Sequence, residues 1–432
     1  MPDPKPRSDA KPRSDAKPRS DEWYDAARFG MFVHWGPISR RGWELSWPLV
    51  GGPGSALPHA HDVPVAEYYE SAFEFDPRPG APADWMRLAR ETGMRYAVLT
   101  TKHHDGFALW PTKLTEFSIA QTPYGGDLVG EYVEAARSEG LRVGFYYSLS
   151  DWRHPDYPAF REEDKPYITF LGRRSETWEA YVDVLFGQVR ELLTNYGQID
   201  LIWFDGQWER TSDEWRAEEL ASMIRELQPA ILINDRLPGQ GDIATPEQAI
   251  PVETPDGRWE TCMTMNRSWG YVPEDQEYKS SAEITRTLCE VAWKGGNLLL
   301  NVSPMSDGGL PSEQMQRLRA VGEWINRNGE AIYDTQAGLE PWQFYGPSTR
   351  RAERIFLMCP WRPNDHIVVR GLPVRRVGVA TELVSGTALE TSPRVTAEQE
   401  LMGRDPVGDL VINIPSELVD PIATVISLEM TA

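Results

Sequence analysis

His34, His103, His104, Tyr146, Ser148, Trp203, Asp205, Asn234, Asp235 and Arg236 share one circumstance: each closes a short apolar run. In an extended strand, positions two apart share a face. Trp203 and Asp205 therefore point one way together, and so do Tyr146 and Ser148. A ring of His, Tyr, Trp, Arg and Asp makes a pocket that is both polar and aromatic. That mixture suits a sugar, whose hydroxyls need many hydrogen-bond partners and whose C–H face stacks on an indole. Asp205 also has a plainer reading, since it precedes Gly206 and could cap the next turn. Burying it beside Trp203 would then be costly without a partner. His34, His103, His104 and Asp205 could instead hold zinc or manganese, as in a metal-dependent barrel hydrolase. No His-x-His or Glu-x-x-His spacing supports that reading, so no metal and no cofactor are expected.

The runs that end in these residues alternate with helical patterns. Strand-like segments cover 29–36, 95–106, 141–152, 200–206, 230–236 and 297–304. Amphipathic segments cover 83–93, 127–140, 177–197, 214–229, 284–296 and 312–329, several with a Gly stop. Such alternation predicts βαβ units and a parallel sheet. Polar residues at the C-terminal strand ends predict a (β/α)8-like TIM barrel, which carries its active site on that rim. An open doubly wound sheet is the alternative, weakened because no Gly-rich phosphate loop follows an early strand. From about Gly338 the pattern becomes short strands with turns and no evident helix, which predicts a C-terminal antiparallel β-sandwich. Residues 5–22 repeat KPRSDA and cannot bury enough apolar surface to order themselves. The expected division is thus a disordered repeat tail over 1–22, a catalytic barrel over 23–337 and a β-sandwich over 338–432.

Composition narrows the partners. The formal net charge of -21 argues against nucleic acid and against an anionic membrane surface. No apolar run of membrane-spanning length occurs. The 3 cysteines are odd in number and widely spaced, so neither a disulfide framework nor a zinc pattern is expected. With no apolar leader near the N-terminus, a cytoplasmic location is expected, or a secreted or periplasmic one where a signal has been removed. Trp is more frequent (17) than Tyr (16) or Phe (13), a bias that favours sugar stacking, although most single tryptophans serve a core. Oligomeric state has no signature.

The segments FGMFVHWG, LTTKHHDGF, GFYYSLSDW, LIWFDG, INDR and WETCMTMNRSWGY stand in that order across 29–271. Together they resemble the α-L-fucosidases of glycoside hydrolase family 29. The resemblance implies an exo-acting, retaining double displacement on a terminal α-L-fucoside of an oligosaccharide or glycoconjugate. It implies Asp205 as nucleophile and Glu247, on a mobile loop beyond INDR, as acid/base, with Glu260 of WETC as rival. It further implies that His34, Glu44, His103, His104, Tyr146, Trp203, Arg236 and Trp269 bind substrate. Here Trp43 precedes Glu44 where the family pattern has Glu-Trp. Loops 45–65, which include His59 and His61, and 237–259 are expected to set linkage preference between broad and α-1,3/1,4-specific action. The non-enzymatic alternative is a carbohydrate-binding protein using the same aromatic pocket.

Overall fold

The apolar runs become the staves of one parallel sheet. The computed structural model describes residues 22–51, 62–402 and 405–431. The repeat tail, apart from Glu22, and His59 and His61 lie outside the described residues. Strands β1 (Phe29–Val33), β2 (Tyr96–Lys102), β3 (Arg142–Ser148), β4 (Leu201–Asp205), β5 (Leu232–Ile233), β6 (Ile243–Ala244), β7 (Arg258–Met263) and β8 (Asn297–Val302) follow the order β5-β4-β3-β2-β1-β8-β7-β6. A parallel bridge between Asn234 and Ile243 joins the two ends and closes the barrel. These strands are apolar on both faces, as a parallel sheet covered outside and filled inside demands.

Alternation sorts each strand between two cores. Phe32, Val98, Tyr146, Leu201, Trp203 and Leu299 fill the interior. Met31, Val33, Ala97, Leu99, Phe145, Tyr147, Ile202 and Phe204 face the helices. Helix α1 (Trp23–Ala27) packs Tyr24 and Ala27 into the interior cluster, and the outer layer is built around α2 (Val65–Ala72), α3 (Ala81–Glu91), α4 (Leu128–Ser138), α5 (Tyr167–Phe170), α6 (Trp178–Asn195), α7 (Ala217–Leu227), α8 (Ser281–Trp293) and α9 (Ser312–Asn328). Asp127 and Ser280 cap α4 and α8 by accepting from the amides of Gly130 and Glu283. Strict alternation of strand and helix fails in one place. The chain from Asn234 to Gly257 is rich in Pro and Gly and lacks a helical apolar period, so it runs as loop around the short β6.

After α9 the chain forms an antiparallel sheet and a smaller partner. The first orders β13 (Val377–Glu382), β16 (Thr424–Met430), β11 (Arg354–Cys359), β10 (Ser348–Arg351) and β9 (Gln336–Ala337). The second orders β12 (His366–Pro373), β15 (Val407–Asn413) and β14 (Thr391–Arg394). Alternation works here too: Phe356, Met358 and Val425 join the barrel's outer core, whereas Ile355, Leu357, Ile426 and Leu428 meet the second sheet. One short helix, α10 (Ala397–Met402), interrupts a region read from sequence as all strand. The three cysteines are buried and free.

Trp324 of α9 is wholly buried and donates its indole N–H to the Ala423 carbonyl at 2.9 Å, tying the barrel to β16. Trp324→Phe leaves that carbonyl without its donor and removes buried ring area. It is expected to cost about 2–3 kcal/mol in thermal unfolding with activity retained in the folded fraction. An unchanged melting temperature would show that this tie contributes nothing.

Candidate active site

The interior parity of the strands decides which side chains reach the rim. Phe32 is followed two residues on by His34, and Leu201 by Trp203 and then Asp205. β2 needs a correction to reach the same result. Its pairing with β3 shifts between Thr100 and Lys102, a bulge of one residue. Lys102 thereby turns outward over the Tyr147 ring, 4.5 Å from its centroid. His103 then faces the pocket, where simple alternation from Val98 would send it out.

The pocket is lined by Phe32, His34, Trp47, His103, His104, Tyr146, Trp203, Asp205, Trp208, Arg236, Glu247, Cys262 and Trp269, and encloses about 470 Å³ including its open mouth. At its base Asp205 accepts from Arg236 Nη1 at 2.7 Å and from the Tyr146 hydroxyl at 2.8 Å. His104 Nε2 lies 3.8 Å from the same carboxylate. Burial alone would raise the Asp205 pKa, but the charge of Arg236 and the hydrogen bonds from Arg236 and Tyr146 outweigh it, and the carboxyl is held below its usual range. Arg236 Nη2 donates to Glu247 at 2.6 Å, so one guanidinium joins both carboxylates. Beneath it lies the Trp203 ring, 4.5 Å from the guanidinium carbon. Tyr146 is sandwiched between His103 and Trp203, with interplanar angles of 10° and 18°.

The histidines are neutral. Burial lowers His34 to about 3 and His104 to about 4, and drives His103 well below its ordinary value. Asn301 gives its amide N–H to the Trp269 carbonyl, so its oxygen faces His34 Nδ1 at 2.7 Å. His34 Nδ1 therefore carries the proton, and Nε2 is a free acceptor toward the pocket. Ser46 accepts from the Asp105 amide and lies 2.6 Å from His103 Nδ1, holding that ring from behind. Sequence reasoning passed over Ser46 and Asn301 because neither carries charge or closes a strand pattern.

Two expected participants sit elsewhere. Glu44 is fully buried and accepts from the amides of Trp269 and Gly270 at 2.6 and 2.9 Å, so it holds the Trp269 turn and is not among the pocket-lining residues. Glu260 is also fully buried, accepting from the Tyr96 hydroxyl at 2.5 Å and the Trp203 indole at 2.9 Å, beneath the pocket. Glu247 instead lines the pocket, and its loop is fastened rather than free. Gln248 N donates to the Cys262 carbonyl and Cys262 N to the Pro246 carbonyl, at 2.9 and 3.2 Å. Trp47, Trp208 and Cys262 line the pocket without having been expected there; only the aromatic bias of the sequence signals the two tryptophans. Among the described residues no cluster of His, Cys, Asp or Glu has a metal-holding arrangement, and both Asp205 oxygens already accept hydrogen bonds.

A family model described as Alpha-L-fucosidase matches residues 4–330. The chain belongs to the α-L-fucosidase family. Family membership makes it a glycoside hydrolase, with the barrel and sandwich its relatives carry. The chain is 34% identical to tissue alpha-L-fucosidase of Mus musculus over 343 residues, 74% of this chain and 72% of that protein. Alpha-L-fucosidase isoenzyme 1 from Paenibacillus thiaminolyticus has TM-score 0.83 at 36% identity, covering 95% of this chain and 98% of that one. A trapped covalent intermediate of a GH29 α-L-fucosidase from Bacteroides thetaiotaomicron, in complex with 2-fluoro-fucosyl fluoride, has TM-score 0.77 at 26% identity, covering 98% of each chain.

Burial raises the Glu44 pKa to about 7, against the lowering effect of its two amide donors. A carboxyl whose folded pKa lies above its unfolded value binds its proton more tightly in the native state. That contribution is full below the unfolded value near 4.5 and is lost as pH rises through about 7. Wild type is expected to lose up to about 3 kcal/mol relative to Glu44→Gln across that window. Parallel stability–pH curves, measured by denaturant unfolding, would refute it.

Proposed function

We propose that this protein is a retaining, exo-acting α-L-fucosidase in which Asp205 is the nucleophile and Glu247 the acid/base. The observation that carries the reading is the pair of carboxylates joined by Arg236 in one aromatic pocket. They stand a single guanidinium head apart, on the scale of the roughly 5 Å typical of retaining pairs. Asp205, kept ionised, attacks the anomeric carbon while the bond to the leaving oxygen breaks and Glu247 gives that oxygen its proton. Glu247 then takes a proton from water, whose oxygen attacks the same carbon and releases Asp205. Glu260 fits the acid/base role poorly, since both of its oxygens accept from buried donors.

The buried base of the pocket suits a chain end rather than the middle of a glycan. His34 Nε2, the other imidazoles and Tyr146 meet hydroxyls, while Trp203 and Trp269 supply apolar walls. Neutral imidazoles suit this task, because they bind hydroxyls without competing with Arg236 for Asp205. The natural substrate in this reading is a terminal α-L-fucoside of an oligosaccharide or glycoconjugate.

Release of nitrophenol from 4-nitrophenyl α-L-fucoside tests the activity. Asp205→Gly is expected to lower kcat by roughly a thousandfold or more. Azide should rescue it to β-fucosyl azide, with inversion, while Glu247→Ala with azide should give the α-azide, with retention. The same product configuration from both variants would overturn the assignment. Arg236→Met removes the charge that depresses the Asp205 pKa. The acidic limb of kcat/KM is therefore expected to move to higher pH in that variant, and a limb that stays in place would remove Arg236 from this role.

A further inference from the structure

The pocket has a buried base and an open rim, and its two exposed lining residues are Glu247 and Trp208. Trp208 is 44% exposed, whereas Trp203 and Trp269 are 2% and 8% exposed. A lone surface indole needs no explanation. This one is held in place. Its Nε1 donates to the Tyr167 hydroxyl at 2.8 Å, and Tyr167 donates to Glu209 Oε1 at 2.6 Å. Glu209 is buried and also accepts from the Trp152 indole at 2.8 Å and the Tyr157 hydroxyl at 2.6 Å. Three donors thus anchor one carboxylate, which in turn anchors the rim ring.

The approach of the chain is equally constrained. Gly206 has φ +75°, and a Cβ there would fall 2.4 Å from Ser150 Oγ. This turn folds the 3-10 segment Gln207–Glu209 back over the pocket, so the residue pair Asp205 and Trp208 comes from one strand end. Trp208 meets the His104 ring edge-on at 5.5 Å, and its remaining surface faces outward.

We propose that Trp208 is a stacking platform for the leaving group, fixed by the Tyr167–Glu209 strut. This rests on the reading of Glu247 as the acid that protonates the leaving oxygen, because that reading puts the leaving group at the shared rim. The ligand it takes is the apolar face of a pyranose or an aryl ring. Fucose itself is held further in. Tyr167 and Glu209 act through Trp208 and are positioning residues.

The test compares two binding affinities in the Asp205→Ala background, where no turnover is needed. Adding Trp208→Ala is expected to weaken 4-nitrophenyl α-L-fucoside about tenfold by calorimetry and leave L-fucose within about twofold. In the otherwise wild-type enzyme, Trp208→Ala is expected to raise KM for the aryl fucoside about tenfold, with a far smaller effect on α-L-fucosyl fluoride. Tyr167→Phe keeps the platform but frees it, and a partial loss of the same selectivity is expected. Equal weakening of both ligands, or of neither, would overturn the proposal. Failure of the wild type to turn over α-L-fucosyl fluoride would instead overturn the reading of Asp205 and Glu247, and the binding comparison would still decide Trp208.

Discussion

A carboxylate at the base of an aromatic well stays ionised only if positive charge and donors replace the water it has lost. Arg236 meets that demand for Asp205, and much of the local structure serves to place Arg236. β5 ends early, and the Asn234 side chain continues the sheet by pairing with both the amide and the carbonyl of Phe204, at 2.7 and 2.9 Å. The chain is then free to turn and lay Arg236 over Trp203. Because Arg236 is always charged and presents a planar fork, it can serve two carboxylates at once, which a lysine could not do with the same geometry.

The neutrality of the three imidazoles follows from the same constraint. His34 and His104 are buried and His103 is partly buried, each sits near Arg236 or another imidazole, and loss of hydration lowers all three pKa values. Uncharged rings need defined tautomers if they are to present donors and acceptors in a fixed pattern. Asn301, Ser46 and the Ser148–Ser150 pair supply the partners behind the rings. The site is therefore a set of pocket-facing groups backed by ordinary polar side chains that do not line the pocket.

The same economy appears in the buried glutamates. Glu44 organises the Trp269 turn, Glu260 supports Trp203 from below, and Glu209 gathers three donors behind the rim. Each holds an aromatic wall in place. Glu260 takes the Trp203 indole N–H directly, Glu44 takes the backbone amides of the Trp269 turn, and Glu209 holds Trp208 through the Tyr167 hydroxyl, so none of the three blocks a ring face.

The sequence by itself determined the alternation of strand and helix, because apolar period and Gly stops are local properties of the chain. It also determined that Trp203 and Asp205 share one face of their strand, and Tyr146 and Ser148 one face of theirs, because side chains alternate along a strand; the closed barrel decided that Tyr146, Trp203 and Asp205 line its mouth. The motif order of Asp205, Arg236 and the histidines was legible for the same reason: they lie next to strand ends. Tertiary structure alone decided the rest. The bulge in β2 that turns His103 inward depends on pairing with β3, which no local pattern records. The choice between Glu247 and Glu260 as the pocket-lining glutamate depends on which loop is pinned to β7. Glu44 is directed to the Trp269 turn, and Ser46 and Asn301 to the imidazoles, by contacts between segments far apart in the chain. Such contacts are set by how the strands close around the core, and spacing along the sequence carries no trace of them.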